Sequence, residues 1–485
     1  MNIILNELLK KLIQKGSEHI LFVGATILSA GLHFIYSIYV KAYVKPLEYG
    51  MYSTCLLLQT YMAYLQLGSL NAFNRDYPQL IGAKKTDEAN KYRNTVFSFI
   101  LIAYSVCLIV ATIGIILIGK EKGQDSKLII GFILTAMLTS ITVFENYGNY
   151  RCRIEHGFKY PSLVTILELI SIPVGLIIVP KIGYYGIYIT SIVAMLIGII
   201  LYFKPSFQDF RFMIDKSLLK MILISGMPLL INGLIWTVVN SIDKFVILGF
   251  INTEALGIYG IAQNAFSYMV LIPSAMSQLF YVKMGKEYGA SGDINVLNEV
   301  SMRFSTVLAA ITSLIALIAY FFLPVLVNRF MPSYNNGVQA AQILILGLSV
   351  YAATLINGNI LTILKKNGAL LFNSILMCIF NVSCSVGYVV ALGATIESVA
   401  FGTATSYIFC TLIIVYQVHK HAKCKMWTIF RSSVVPVFIS ILPGVISYNM
   451  LENKIVGFVV AIIFGVLFYG IFYRKQILSV REVKL

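Results

Sequence analysis

Charged residues are scarce in this sequence. Only 12% of its 485 residues are Asp, Glu, Lys or Arg, whereas 58% are hydrophobic and the mean hydropathy is +0.82. Soluble domains carry about 25% charged residues, so this scarcity excludes a soluble globular domain. The sequence therefore predicts an integral membrane protein.

Cysteine pairs, metal-binding motifs and nucleotide-binding motifs are also missing. The seven cysteines are an odd number with no CxxC pair, which favours free thiols over disulfides or a metal site. His419 and His421 are two residues apart and lie on different faces of a helix. No GxxxxGK[ST] motif occurs, which argues against direct use of ATP through a P-loop. We expect no metal ion and no cofactor.

A long outer loop with converging acidic or histidine residues is absent as well. The longest predicted outer connections, near 119–127 and 328–337, hold about ten residues each. A membrane polysaccharide polymerase or glycosyltransferase is expected to carry such a loop. A polymerase is therefore the least favoured function, and we expect the chain not to be an enzyme.

What the sequence has in abundance is apolar runs of roughly 20 residues, the length at which a helix crosses a ~30 Å hydrocarbon core. Because lipid offers the backbone no hydrogen-bond partners, such runs must be helical. The basic, amphipathic stretch 1–20 predicts a cytoplasmic lead-in helix rather than a cleaved signal. The fold class is all-α, with fourteen predicted spans at about residues 19–40, 50–72, 95–118, 128–150, 160–180, 184–203, 220–250, 256–281, 302–327, 338–363, 369–392, 397–418, 428–450 and 455–473.

The positive charge is distributed unevenly between the predicted loops. Of the 37 Lys and Arg residues, 28 fall on one side of the membrane, eight fall on the other, and Lys244 lies inside a span. Basic loops stay in the cytoplasm, so both termini are predicted to be cytoplasmic. The net charge of +16 is thus a signal of topology, and no nucleic-acid partner is expected.

A phrase near the start of the chain returns 207 positions later. Residues 48–62 read EYGMYSTCLLLQTYM, and residues 255–269 read ALGIYGIAQNAFSYM. Likewise, GNYRCRIEHG at 148–157 returns as GNILTILKKNG at 358–368. These echoes predict two six-helix lobes around a central cavity, as in transporters built from repeats. We expect an N-lobe at 1–205, a C-lobe at 206–420, and two further helices with a cytoplasmic tail at 421–485.

Polar side chains form stripes at equivalent positions of spans 1 and 7 and of spans 2 and 8. Such residues can simply hold helices together, but stripes that match between repeats predict faces directed at a shared, hydrated cavity. Basic residues at the predicted inner mouth are also explained by the flanking-charge rule. The candidate substrate path comprises His33, Tyr36, Lys41, Tyr64, Asn71, Arg75, Asn232, Asn240, Lys244, Gln278, Lys283 and Arg303.

Three acidic residues within spans are candidates for ion coupling. Asp243, beside Lys244, and the glutamates Glu145 and Glu168 each cost about 2.5–3.5 kcal/mol to insert, so each is expected to face water or a partner. Either glutamate could carry a proton or bind a cation. Either could instead pair with Arg151 or Lys159 and be structural.

Several segments together resemble the polysaccharide-transporter flippases. They are YVKPLEYGMYS, LGSLNAFNRDY, NYRCRIEHGFKY, KIGYYGIYIT, SIDKFVILGFINTEALGIYGIAQ and MPSYNNGVQAAQILILG, and the resemblance spans essentially the whole chain. This family includes the O-antigen repeat-unit flippases of the multidrug/oligosaccharidyl-lipid/polysaccharide exporter superfamily. Its most specific part is Asp243-Lys244 followed by Gly257 and Tyr259, where the family usually has Asp-Arg.

The resemblance implies a function and a location. The protein would move an undecaprenyl-pyrophosphate-linked oligosaccharide, the repeat unit of O-antigen or another surface polysaccharide, from the cytoplasmic to the periplasmic leaflet of the bacterial inner membrane. Alternating access would be driven by membrane potential, with ion antiport as an addition. A polysaccharide polymerase and a chain-length regulator remain open as partners beside membrane lipid. The alternatives are a multidrug/cation antiporter of the same superfamily and a peptidoglycan lipid-precursor flippase.

Overall fold

The computed structural model describes residues 17–121, 126–205, 210–474 and 476. Every regular element among these residues is a helix, as the apolar runs predict. The predicted lead-in helix at 1–20 falls almost wholly outside the described residues, and both chain ends do as well. The predicted orientation of the termini therefore stays a prediction.

The helices follow one another along the chain with short connections. They are α1 (Ser17–Tyr43), α2 (Pro46–Met62), α3 (Ser69–Gly82), α4 (Thr86–Glu121), α5 (Ser126–His156), α6 (Lys159–Glu168), α7 (Ser171–Ile182), α8 (Tyr185–Phe203), α9 (Lys216–Val239), α10 (Ile242–Phe250), α11 (Thr253–Ser291), α12 (Ile294–Phe330), α13 (Val338–Ala353), α14 (Leu355–Ile363), α15 (Asn367–Leu392), α16 (Ile396–Ala422), α17 (Met426–Ile429), α18 (Val435–Met450) and α19 (Lys454–Phe472).

Twelve stretches of helix in the described part of the chain are long and apolar enough to cross a membrane. They correspond to the third to fourteenth predicted spans. The helices at the first two predicted spans, α1 and the interrupted pair α2–α3, are not among the twelve. The all-helical, polytopic architecture is thus confirmed, whereas the count of fourteen is not.

Several predicted spans consist of two shorter helices. The span predicted at 160–180 is α6 followed by α7, and the span predicted at 220–250 is α9 followed by α10. In the first case Pro173 lies in the opening turn of α7 and has no amide hydrogen for the preceding turn. The Ser171 hydroxyl donates to the carbonyl of Glu168 at 2.7 Å, and the carbonyl of Leu169, for which Pro173 has no donor, accepts from the Ile172 amide at 3.1 Å. The interruption therefore leaves both carbonyls satisfied.

The chain divides into two compact units, residues 1–237 and 238–485. The first unit has a core at one end of α3, α4 and α5, where Phe73, Tyr77 and Tyr147 are fully buried. In the second unit, Leu317 and Phe321 of α12 pack with Ala461 of α19. Helix α9 belongs to the first unit, although the predicted lobes meet at 205/206.

The interruption between α2 and α3 is the feature that shapes the first unit. Leu67 and Gly68 adopt positive φ angles of 50° and 83°, which turns the chain between the two helices. The Tyr104 hydroxyl lies 3.1 Å from the carbonyl of Met62 and 2.9 Å from that of Ala63. The Gln66 side-chain carbonyl accepts from the Leu70 amide at 2.7 Å. Side chains thus satisfy backbone groups at the ends of both helices.

Gly68 and Gly226 bring this interruption into backbone contact with α9. A Cβ added to Gly226 would lie 2.1 Å from the carbonyl oxygen of Gly68. A Cβ added to Gly68 would lie 2.5 Å from the carbonyl carbon of Gly226. Only glycine at both positions allows this approach, so the pair fixes α9 against the α2–α3 turn.

We expect Gly226→Ala to destabilise the first unit by about 1–3 kcal/mol, because the new methyl would collide with backbone that cannot rotate away. The measurement is thermal unfolding of the purified chain in detergent. Gly31→Ala is the matched control, since a Cβ at Gly31 meets nothing within 4 Å and should be neutral or slightly stabilising. Equal melting temperatures for both variants would contradict the packing argument.

Candidate functional site: a polar cavity in the first unit

The first unit contains a cavity of about 660 Å³. Its walls come from α2, the turn after α2, α3, α5 and α9. Twelve of its eighteen lining residues carry amide, hydroxyl or charged groups, an unusual density in so apolar a chain. The lining residues are Gln59, Thr60, Ala63, Tyr64, Gln66, Leu70, Asn71, Asn74, Arg75, Thr139, Thr142, Val143, Asn146, Tyr150, Leu229, Leu230, Gly233 and Thr237.

The α2–α3 interruption places the polar side chains of the second predicted span into this cavity. Gln66 donates to the side-chain carbonyl of Asn71 at 2.6 Å, while its own carbonyl caps α3. Asn74 follows one turn later and accepts from the guanidinium of Arg153 at 2.7 Å. The three amides are therefore held in place by hydrogen bonds before any ligand arrives.

Arg75 lines the cavity as a member of an ion pair. Its Nε and Nη2 atoms donate to the two carboxylate oxygens of Asp76 at 2.6 and 2.9 Å, and Nη1 donates to the carbonyl of Ser225 at 3.3 Å. The side chain keeps 43% exposure. Arg75 was predicted as a residue of the substrate path, and the neighbouring carboxylate of Asp76 balances its charge.

Helix α5 contributes a polar stripe that the sequence prediction did not include. Thr139, Thr142, Asn146 and Tyr150 recur at spacings of three and four residues and line one wall of the cavity. Those spacings put them on one helical face. The spacing is visible in the sequence, but the sequence prediction for this helix named only Glu145.

Helix α9 lines the cavity with residues that differ from those predicted. The hydroxyls of Tyr64 and Thr237 are 2.5 Å apart. Gly233 lies beside them, and a Cβ there would stand 3.5 Å from the Tyr64 hydroxyl oxygen. Asn232, the predicted residue of this helix, is exposed and is not part of the lining.

The predicted residues of α1 lie outside this cavity. Tyr36 is buried against Gly175, and its hydroxyl would lie 2.0 Å from a Cβ added there. Lys41 is 2% exposed and donates to the Tyr49 hydroxyl at 3.1 Å, with its ammonium 4.2 Å from the centre of that ring. His33 bonds through Nδ1 to Ser29 of its own helix. This face of α1 packs against α6 and α7.

Glu145 of α5 and Glu168 of α6 form a pair within the first unit. Both carboxyl groups approach Gly198, where an added Cβ would lie 3.2 and 3.3 Å from their Oε1 atoms. Arg151, a partner considered from sequence for both glutamates, instead pairs with Glu155 at 3.1 Å.

In the second unit, Asp243 begins α10, which packs against α15 and α16. Its Oδ2 accepts from the Tyr259 hydroxyl at 2.8 Å, and Thr403 of α16 lies near the carboxylate. Thr403 and Ser385 lie 3.5 and 3.0 Å from the side-chain carbonyl of Asn381. The result is a cluster of one carboxylate with hydroxyl and amide oxygens. Lys244 follows on the same helix and is half-buried.

The remaining predicted residues of the second unit do not join this cluster. Asn240 lies in the turn between α9 and α10 and is exposed, as is Gln278 of α11. Lys283 is half-buried on α11. Arg303 forms an ion pair with Glu299 one turn earlier on its own helix.

The fold matches solved membrane transporters along most of the chain. Lipid II flippase MurJ in an inward closed conformation has a TM-score of 0.73 at 16% identity, covering 94% of this chain and 100% of that one. An inward-facing multidrug resistance MATE family transporter has a TM-score of 0.64 at 15% identity, covering 80% and 95%. A MOP superfamily transporter from Pyrococcus furiosus has a TM-score of 0.59 at 14% identity, covering 84% and 96%. These matches show that the chain has the fold of these transporters.

Comparison of the sequence with known families identifies the family of the chain. Residues 17–281, more than half of the chain, match the family described as polysaccharide biosynthesis protein. The chain belongs to that family, which confirms the resemblance drawn from its motifs. No protein of curated function matches it in sequence.

Proposed function

We propose that the protein is a flippase for a lipid-linked oligosaccharide. It would move an undecaprenyl-pyrophosphate-linked repeat unit of O-antigen or another surface polysaccharide from the cytoplasmic to the periplasmic leaflet of the bacterial inner membrane. The polyprenyl tail stays in lipid, so only the polar head needs a protein-lined path. Alternating access of the two predicted lobes would supply that path.

The observation that carries this proposal is the lining of the first unit's cavity. Sugars expose hydroxyl groups that both donate and accept hydrogen bonds. Amides and hydroxyls offer the same dual capacity, and this cavity presents five Asn and Gln side chains with six Thr and Tyr hydroxyls supplied by α2, α3, α5, α9 and the turn after α2. Arg75 adds a guanidinium at the edge, where a phosphate could exchange with Asp76 as its partner.

The same lining weighs against a multidrug/cation antiporter. A site for lipophilic cations is expected to offer carboxylates and bare aromatic faces, whereas no Asp or Glu is among the described residues that line this cavity. A peptidoglycan lipid-precursor flippase remains the second candidate, because such a substrate carries the same pyrophosphate and sugar chemistry and the match to lipid II flippase MurJ covers 94% of the chain.

Two sources of energy fit the charges involved. An inside-negative membrane potential favours outward movement of an anionic head. The gain is about 2.3 kcal/mol per charge per 100 mV. Ion antiport would add to this through Asp243, whose carboxylate lies near hydroxyl and amide oxygens, or through the carboxyl groups of Glu145 and Glu168. We favour Asp243, because Thr403 and Asn381 supply the kind of oxygen groups that hold a small cation.

Ligand binding to the cavity can be followed through Trp236, which precedes the lining residue Thr237. The chain has two tryptophans, so Trp427→Phe leaves Trp236 as the single reporter. We expect a saturable fluorescence change with a lipid-free oligosaccharide diphosphate. Asn71→Ala with Asn146→Ala should weaken it roughly 5- to 100-fold, since each lost hydrogen bond is worth about 0.5–1.5 kcal/mol.

The matched control is Asn232→Ala, an exposed amide of α9 outside the lining, which should leave the affinity unchanged. A muropeptide diphosphate that binds more tightly than the oligosaccharide would move the assignment to the peptidoglycan precursor. Saturable binding of a cationic dye without binding of either diphosphate would contradict the proposal.

A further inference from the structure

A second large depression lies on a different surface of the first unit. It is an open groove of about 680 Å³ between α4, α5 and α8. Its lining is apolar apart from one lysine at its end, and comprises Phe97, Leu101, Ile141, Phe144, Leu196, Ile199, Ile200, Phe203 and Lys204. We call these nine residues the α4–α8 groove.

The groove and the polar cavity lie on opposite sides of α5. At 100° per residue, Ile141 and Phe144 lie about 170° around the helix from the centre of the stripe that runs from Thr139 to Tyr150. A substrate whose sugar occupied the cavity would therefore have α5 between its head and this groove. The groove does not suit the tail of the proposed cargo.

The exposed surface beside the groove is suited to the membrane interior. Leu196 and Ile200 of the groove are 44% and 67% exposed. Farther along α4, exposed apolar residues continue from Ile102 to Leu117. In a bilayer a depression in such a surface is filled by hydrocarbon, because neither water nor a vacuum is a stable content there.

Two unpaired cations flank one end of the groove. Lys204 is exposed and forms no ion pair with any residue that the structure describes. Phe210 packs on Phe97 and Phe203, with ring centroids 4.9 Å apart in each case. Arg211 follows it, also exposed and without an ion pair among the described residues. The sequence predicts this end to be cytoplasmic, where anionic lipid headgroups attract basic residues.

We propose that the α4–α8 groove holds an anionic phospholipid of the cytoplasmic leaflet. Its acyl chains would lie along Leu101, Ile141 and Ile200, and its phosphate would contact Lys204 and Arg211. This lipid is a resident of the first unit rather than the transported molecule. The proposal rests on the groove and its charges, and it stands whether or not the cavity carries a glycan.

The test is lipid binding to the full chain in detergent, measured by native mass spectrometry and by thermal stabilisation. Phosphatidylglycerol should bind more tightly than phosphatidylcholine. Lys204→Gln with Arg211→Gln should weaken phosphatidylglycerol binding roughly 5- to 30-fold, the loss expected for one to two basic residues at a headgroup. Lys45→Gln with Lys181→Gln, two exposed lysines at the other end of the unit's helices, is the matched control and should have no effect.

A second pair of variants tests the acyl-chain site. Ile200→Trp should fill the groove and weaken both phospholipids, whereas Ile177→Trp, a 63% exposed position on α7, should not. Equal binding of the two phospholipids to the unaltered chain would overturn the proposal. Displacement of phosphatidylglycerol by undecaprenyl phosphate, itself sensitive to Ile200→Trp, would also overturn it and assign the groove to the cargo's tail.

Discussion

Gly233→Phe should lower the rate of glycan translocation roughly 10- to 100-fold. Gly233 faces the cavity beside the Tyr64 and Thr237 hydroxyls, and the nearest atom to an added Cβ is 3.5 Å away. A phenyl ring can therefore enter open space without a collision at its base. There it would displace about two hydrogen bonds to substrate, each worth about 1 kcal/mol, and their combined loss falls within the expected range. The measurement is the initial rate of sugar exposure in proteoliposomes.

The control for this variant is Gly249→Phe, because a Cβ at Gly249 on α10 meets nothing within 4 Å and the residue lies outside the cavity. It should transport at the unaltered rate. Both variants should unfold near the temperature of the unaltered chain, so a loss of transport is not a loss of fold. Undiminished transport by a folded Gly233→Phe variant would place the glycan path elsewhere.

Asp243→Asn should abolish the stimulation of glycan transport by an imposed ion gradient. We expect the gradient-driven transport rate to fall at least about tenfold. The amide is isosteric, and its carbonyl can still accept from the Tyr259 hydroxyl that lies 2.8 Å from Oδ2, so the helix contacts are retained. What is lost is the negative charge that a proton or metal cation would neutralise. Transport is measured with outward and inward gradients of H⁺ and of Na⁺, applied separately, at a clamped potential.

Asp293→Asn is the matched control in the same unit, because Asp293 caps α12 at the surface through the Asn295 amide and Asn is an equally good cap. Its gradient response should be that of the unaltered chain. Loss of the response in Glu168→Gln but not in Asp243→Asn would move the coupling site to the carboxyl pair of the first unit.

Most of the fold followed from the sequence because hydrocarbon permits few alternatives. Apolar runs of roughly 20 residues must be helices in lipid, and the third to fourteenth predicted spans coincide with helical stretches of the required length and composition. The points at which predicted spans break into two helices were harder to predict. The turn at Leu67–Gly68 is stabilised by Gly226, which is 158 residues away, and its counterpart in the repeat, 207 positions later, lies inside the continuous helix α11.

Three residues of the predicted substrate path line the cavity of the first unit. Tyr64, Asn71 and Arg75 line it together. Asn71 and Arg75, four residues apart, share a face of α3, whereas Tyr64 precedes the Leu67–Gly68 turn. Tyr36 and Asn232 also belong to polar stripes with helical spacing. In the structure, however, Tyr36 packs against Gly175 and Asn232 is exposed. Periodicity specifies which residues share a face, but not what that face meets.

Charge was the least predictable property of the site. Arg75 and Asp76 are adjacent in sequence, and neighbouring helical residues point about 100° apart, so their bidentate contact was not expected from position alone. The carboxyl pair formed by Glu145 and Glu168 required the meeting of α5 and α6 near Gly198. The anion-binding capacity of the cavity therefore depends on whether a phosphate can replace Asp76 at Arg75.

Translocation itself is the most direct test of the central proposal. The purified chain would be reconstituted into proteoliposomes with a labelled polyprenyl-pyrophosphate oligosaccharide, and access of an impermeant probe to the sugar would be followed with and without an imposed potential. We expect sugar exposure that requires the protein and accelerates when the potential drives the anionic head outward. Efflux of a cationic dye with no exposure of any lipid-linked glycan would contradict the account.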